Sequence, residues 1–271
     1  MGYGSNDEQR LVAGIVVDQG VAYGMDSSGT VYAVNAVSGE SLWSKSTTPE
    51  DACGQPFGGG VSVDGGVCVL YPFIFVYGSS GFIANNNVDS TYSGINPYDW
   101  NGPLANQVNV ASSKIVKGMP MRGGTNSPSG LFWATDSLIR VSFNSQATSI
   151  YWTYDIVSSQ ISIMSENSVV EMDGIYFWMG VDRFYLYNGS VQVLPNDKNV
   201  NWLFNNINYE YRQKVWATKI PRYNEIWFFY PRGTNTECTD AIIYNVKDKL
   251  WYDAGSAVGA QRSCGYTTEL F

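Results

Sequence analysis

The sequence predicts an all-β protein, a β-propeller of about five blades, or six, with a long irregular insertion and one short helix. Three observations predict it. A turn, a β-rich run, a second turn and an aromatic-rich run recur five times along the chain. The anchoring turn residues Asp18, Asp64, Ser129, Asp173 and Asn224 recur at roughly 45 to 65 residues, the spacing of propeller blades with one enlarged unit. Glycine is frequent, 28 of 271 residues, and falls mostly at the turns, while Val, Ile, Tyr, Phe and Trp fill the runs between them.

Residues 1–10 are polar and read as an N-terminal arm, and residues 11–271 as a single propeller domain. The first unit spans 11–48, with strands at 21–24 and 31–34 and a hairpin at Ser38-Gly39. Trp43 is expected to pack between blades. The second unit, 49–84, contains the run 67–77, apolar on both faces as in a buried inner strand. Pro72 cannot donate to a ladder, so a turn or bulge is expected at Tyr71-Pro72.

Residues 85–118 are rich in Asn, Ser and Gly and are read as an insertion. Tyr92, Tyr98 and Trp100 within it are the candidate subunit-interface residues, because exposed aromatics are enriched at interfaces. The third, fourth and fifth units span 119–157, 165–198 and 214–255. Between the last two, Trp202, Leu203, Phe204, Ile207 and Tyr211 fall roughly on one face and predict a helix over 199–213. The tail at 259–266 is expected to pair with an N-terminal strand, since an open propeller leaves unpaired edges.

The chain has no histidine. That removes the side chain best suited to acid–base work near neutral pH, His-based metal sites, and every Ser-His-Asp or Cys-His arrangement. Gly58-Gly59-Gly60 and Gly123-Gly124 lack the lysine and helix start of a phosphate loop. Glu171, Asp173 and Asp182 surround turns. Asp173 with Asp182 is the one pair that could be imagined as a glycosidase acid and nucleophile, but Asp is also the natural residue of tight turns. Asp18 with Asp26 could be imagined at a calcium ion, with no DxDxDG run to support it. No catalytic, cofactor-binding or metal residue is therefore assigned, and no cofactor is expected.

Ten aromatics, Tyr176, Phe177, Trp178, Phe184, Tyr185, Tyr187, Trp227, Phe228, Phe229 and Tyr230, divide between inter-blade core and a possible exposed, sugar-stacking remainder. Cys53, Cys68, Cys238 and Cys264 form no CxxC. Reduced thiols in a protein folded in the cytoplasm are expected, with a Cys238–Cys264 disulfide left open. No apolar stretch is long enough for a membrane span, and residues 1–8 have neither the basic start nor the apolar core of a signal peptide. The net charge of −8 argues against a surface that grips phosphate, while an acidic lining would let nucleic acid slide past.

Several blocks resemble structural proteins of short-tailed bacteriophages. They are residues 119–140, then 173–178 with 181–189, and most tellingly Gln213-Lys214-Val215-Trp216-Ala217, residues 222–231, residues 237–245 and Leu250-Trp251-Tyr252. The pattern is similar to the propeller of tail nozzle or hub proteins, also called packaged-DNA stabilisation proteins, over roughly residues 119–257. The resemblance implies a non-enzymatic virion tail protein. It implies a homo-oligomeric ring, a hexamer, bound to a tail adaptor or portal-side protein. Packaged DNA would be retained and then conducted through the lumen without sequence-specific binding.

Two other readings compete. A carbohydrate- or receptor-binding propeller would expose aromatics. A quinoprotein-type propeller is suggested by the first unit, residues 31–43, which also resembles repeats of quinoprotein dehydrogenases and outer-membrane assembly lipoproteins.

Overall fold

The computed structural model describes residues 16–18, 21–25, 30–46, 66–78, 81–87, 102–122, 127–147, 151–196, 200–255, 260–263 and 265. They form five four-stranded antiparallel sheets, each with its strands in simple chain order. The first holds β1 (Val16–Asp18), β2 (Val21–Met25), β3 (Thr30–Asn35) and β4 (Ser41–Ser46). The second holds β5 (Gly66–Leu70), β6 (Phe73–Tyr77), β7 (Phe82–Asn85) and β8 (Asn106–Asn109). The third holds β9 (Ile115–Pro120), β10 (Ser129–Ala134), β11 (Leu138–Phe143) and β12 (Trp152–Ser158). The fourth holds β13 (Val169–Met172), β14 (Ile175–Met179), β15 (Phe184–Tyr187) and β16 (Val191–Leu194). The fifth holds β17 (Trp216–Ile220), β18 (Glu225–Tyr230), β19 (Asp240–Asn245) and β20 (Leu250–Ala254). The fold is all-β and of the propeller class, with five blades. The expected pairing of the tail 259–266 with an N-terminal strand falls partly outside the described residues; the described tail residues, 260–263 and 265, carry no strand.

The chain divides into two compact units, Met1–Phe132 with Val141–Tyr154 and Trp133–Arg140 with Asp155–Phe271. In the first, the second blade buries Leu70, Phe73, Phe75, Tyr77 and Ile83 on one face. Phe75 and Tyr77 meet Phe132 at ring distances of 5.9 and 5.5 Å, and Phe73 meets Trp152 edge-on at 4.9 Å. Gly118 permits this approach, because a Cβ there would stand 2.7 Å from the Phe132 ring and 2.8 Å from that of Tyr77. The expectation that 67–77 is buried on both faces is corrected. Val67 and Val69 alternate with the buried residues of β5 and are exposed. Tyr71-Pro72 is the turn between β5 and β6. Trp43 is exposed rather than packed between blades.

Residues 85–118 are not one irregular excursion either. Asn85 ends β7, residues 106–109 pair with it as β8, and β9 opens at Ile115. The run Asn-Gln-Val-Asn of β8 has almost no apolar signal. Backbone pairing, from Phe82↔Asn109 to Asn85↔Asn106, places it as an outer strand. Only residues 88–101 of the insertion lie outside the described residues.

In the second unit, Phe184 is the centre of the core, with Phe228 at 5.0 Å, Phe204 at 5.6 Å and Trp251 at 4.6 Å between rings. Phe204 belongs to helix α1 (Val200–Asn206), followed by a 3-10 turn, Tyr209–Lys214, where Asn208 Oδ1 accepts the Glu210 N–H as a cap. The predicted helix 199–213 is thus split, because Ile207 leaves the helical path to bridge Arg232. Leu203, Phe204 and Ile207 are buried as expected, while Trp202 stands half exposed. Among the described residues no helix is long and apolar enough to cross a membrane.

An asparagine follows or ends the third strand of every blade, at Asn35, Asn85, Asn144, Asn188 and Asn245. In three blades its side-chain oxygen accepts backbone N–H groups of the turn that follows: Val37 and Ser38 for Asn35, Gln146 for Asn144, and Lys247 and Asp248 for Asn245. The repeat is therefore written in turn chemistry as well as in strand composition.

Candidate functional site

The carboxylates singled out in the sequence serve turns. Asp173 and Gly174, at φ 54° and 81°, make the two-residue hairpin turn between β13 and β14. Glu171 holds that turn from below: its Oε1 accepts the Gly174 N–H at 2.6 Å, and its Oε2 lies 3.1 Å from Lys219 Nζ on β17. Asp182 is at the other end of β14 and pairs with its neighbour Arg183 at 2.7 Å. The five residues of β14 separate the two turns by about 16 Å at ~3.3 Å per residue. A glycosidase pair needs about 5 to 9.5 Å, so Asp173 and Asp182 cannot share a glycosidic bond.

Asp26, the partner imagined for Asp18, lies outside the described residues, as do Tyr92, Tyr98 and Trp100. Of the ten aromatics weighed as a sugar platform, nine are buried and Trp227 is half buried, so the expected exposed remainder is absent from that set. Cys68 and Cys238 are free, buried thiols. Burial pushes each up to about 12, and the Cys238 thiol points at the Lys214 carbonyl, 3.2 Å away. Cys53 and Cys264 lie outside the described residues. Among the described residues, no three His, Cys, Asp or Glu side chains are placed to hold a metal ion.

The concave site that the sequence did not reveal lies at one end of the fifth blade. It is a cleft of about 250 Å³ lined by Trp202, Tyr230, Arg232, Asp240, Ala241, Asp253, Ala254 and Gly255. Register builds it. Tyr230 opposes Asp240 across β18 and β19, and Asp253 opposes Ile242 across β19 and β20. Because side chains alternate, Tyr230, Asp240 and Asp253 share the face that carries Phe228 and Ile242 into the core. The apolar face of the blade turns polar at this end.

Arg232 follows from the exit of β18. Asn208 donates its N–H to the Pro231 carbonyl, and Gly233 donates to Asn206, which fixes the exit against helix α1. The guanidinium then lies 4.8 Å over the Trp202 ring and 3.4 Å from Asp240 Oδ1. Asp240 is nearly covered and Arg232 half exposed. The Asp253 carboxyl is held above its ordinary range by partial burial and by the Asp240 charge. The Tyr230 phenol is also held up, by burial first and then by the two carboxylates, with Arg232 opposing, so it stays protonated. The cleft offers two carboxylates, a phenol, one guanidinium and an indole face, a set suited to polar recognition.

No family model matches the chain, and no curated protein matches it. Among solved structures it is similar to a chain of the mitotic checkpoint complex, at 11% identity and a TM-score of 0.44, over 92% of this chain and 67% of that one. It is also similar to BamB from Moraxella catarrhalis, at 12% identity and a TM-score of 0.37, over 93% of this chain and 73% of that one. Likeness at this level carries no inference about what the chain does.

Proposed function

We propose that the chain is a non-enzymatic structural subunit of a ring-shaped assembly, a virion tail nozzle or hub that retains and then conducts packaged DNA. The observation that carries the oligomeric part is an exposed apolar face of the second blade. Val67, Val69, Tyr71 and Phe82 are 59%, 49%, 64% and 42% exposed there, beside a face that is otherwise core. Clustered apolar side chains of this kind favour burial against another surface. The blocks that resemble nozzle proteins fall on the third, fourth and fifth blades as successive hairpins. The acidic balance, 24 Asp and Glu against 16 Lys and Arg, suits a conduit that repels phosphate. Tyr92, Tyr98 and Trp100 are the proposed further subunit contacts, and an adaptor or portal-side protein is the proposed neighbour.

The test is the mass of the full chain in solution, alone and with the proteins encoded beside it, with negative-stain imaging of the product. A ring of about six copies, alone or seated on an adaptor, supports the proposal. A monomer under both conditions overturns it, and one that binds a glycan saturably would favour the receptor-binding reading instead.

A further inference from the structure

The fourth blade departs from the others at the asparagine that follows or ends the third strand. Asn35, Asn85, Asn144 and Asn245 are each followed by a residue with a side chain, Ala36, Asn86, Ser145 and Val246, whereas Asn188 is followed by Gly189. Asn188, Gly189 and Ser190 form the exposed turn between β15 and β16. Gly189 takes φ 109°, and nothing stands within 4 Å of the place its Cβ would occupy. The side-chain chemistry differs too. In the first, third and fifth blades the asparagine oxygen accepts backbone N–H groups. Here Asn188 Oδ1 accepts a side-chain N–H of Gln192 at 3.3 Å, and the same Gln192 Nε2 lies 3.5 Å from Ser190 Oγ.

This turn meets the needs of intramolecular amide loss. The Gly189 peptide nitrogen must reach Asn188 Cγ to close a five-membered ring, and a residue without Cβ leaves that approach unobstructed. Cγ must be electrophilic. An N–H donated to Oδ1 polarises the amide and stabilises the oxyanion that forms on attack. Exposure of all three turn residues admits water and hydroxide.

We propose that Asn188 is a self-modifying site, converted through a cyclic imide to aspartate and isoaspartate, with Gln192 as the donor to the reacting oxygen. Hydroxide takes the Gly189 N–H proton, and the nitrogen forms a bond to Asn188 Cγ. The tetrahedral intermediate breaks its bond to the side-chain nitrogen, which takes a proton from water and leaves as ammonia. Water then adds to either imide carbonyl, and opening gives aspartate or isoaspartate. The net change consumes water and releases ammonia, with no oxidation or reduction. Either product adds a negative charge to the turn. Isoaspartate also lengthens the main chain between Tyr187 and Val191, the pair from which the register of β16 runs to the buried Leu194. The site does not depend on the ring-assembly reading, since a monomer carries all of it.

The full-length chain is held at neutral and at mildly alkaline pH and sampled over weeks. Each asparagine is followed by peptide mass mapping with isoaspartate detection, which also separates Asn188 from the other Asn-Gly pair of the sequence, Asn101-Gly102. Asn188 is expected to lose its amide faster than Asn35, Asn144 and Asn245, to give both aspartate and isoaspartate, and to react faster as pH rises. Gln192 is exposed, so Gln192→Leu is expected to keep the thermal midpoint. It should slow the loss about threefold, the worth of one weak hydrogen bond to the developing oxyanion. Gln192→Glu, which also lacks the donor, should slow it at least as much. In urea, parent and variants should react alike, because the contact exists only in the folded turn. The proposal is overturned if Asn188 reacts no faster than the other three, if aspartate is the only product, if both Gln192 variants react like the parent when folded, or if they lag it equally in urea.

Discussion

Asn245 closes the turn after the third strand of the fifth blade as Asn35 does in the first: each side-chain oxygen accepts the N–H groups of the residues two and three places on. Four residues after each asparagine the backbone enters the left-handed region, at Gly39 in one blade and at Lys249 in the other. The two turns are the same device with different residues at the strained position.

That difference is testable. Glycine adopts the left-handed conformation without penalty, whereas a side chain pays about 1 kcal/mol. Lys249→Gly is expected to raise stability by about 0.5–1 kcal/mol. Asn245→Ala, which loses two turn bonds and the 3.2 Å bond from its Nδ2 to the Tyr223 carbonyl, is expected to lower it by about 1–3 kcal/mol. Urea unfolding midpoints check both.

Glu171 links the first strands of the fourth and fifth blades through Lys219 while holding the Asp173-Gly174 turn. Glu171→Gln keeps an acceptor for the turn and loses the ion pair, so a loss of about 0.5–1 kcal/mol is expected, discounted for the partial exposure of Lys219. Glu171→Ala loses both and is expected to cost about 2 kcal/mol. Equal losses in denaturant unfolding would show that the ion pair contributes nothing.

Trp133 and Trp178 are both wholly buried and meet edge-on at 5.7 Å, but their indole N–H groups differ. Trp178 Nε1 donates to the Ser162 carbonyl at 3.0 Å, and Trp133 Nε1 has no partner among the described residues. Replacing either by Phe removes similar volume. Trp178→Phe also strands a carbonyl, so it is expected to cost about 1–2 kcal/mol more than Trp133→Phe, which removes an unmet donor. Thermal and urea unfolding of the two variants decide it.

The buried thiols set an alkaline limit. Burial lifts Cys68 and Cys238 from about 9 to about 12. A folded-state value above the unfolded one contributes stability that is complete below about 9 and is lost as pH rises through about 12, because the unfolded chain releases protons that the folded chain retains. Stability is therefore expected to fall across that window, and less steeply in Cys68→Ala. Neither thiol should react with a disulfide reagent at neutral pH until denaturant is added.

Much of the fold was legible in the sequence because its signals are local. The Asp173-Gly174 pair is a hairpin turn on its own chemistry, and Leu131-Phe132-Trp133-Ala134 reads as a strand from composition alone. The face of β5 that would be exposed was not legible, because Val67 and Cys68 are equally apolar and the choice follows from Phe75, the cross-strand partner of Cys68, which packs on Phe132 and Trp152. Strand β8 escaped notice because an outer strand of Asn, Gln and Val is held by backbone pairing, which leaves no apolar trace.

The sequence by itself determined the five strand-and-turn units, the missing histidine chemistry and the acidic balance, since each depends on residue type and short-range spacing. Tertiary structure alone decided that Asp173 and Asp182 stand apart, and that Tyr230, Asp240 and Asp253 converge on one cleft with Trp202 and Arg232. The physical reason is register. A one-residue slip in a strand pair sends a side chain to the opposite face, and residue spacing along the chain does not carry that choice.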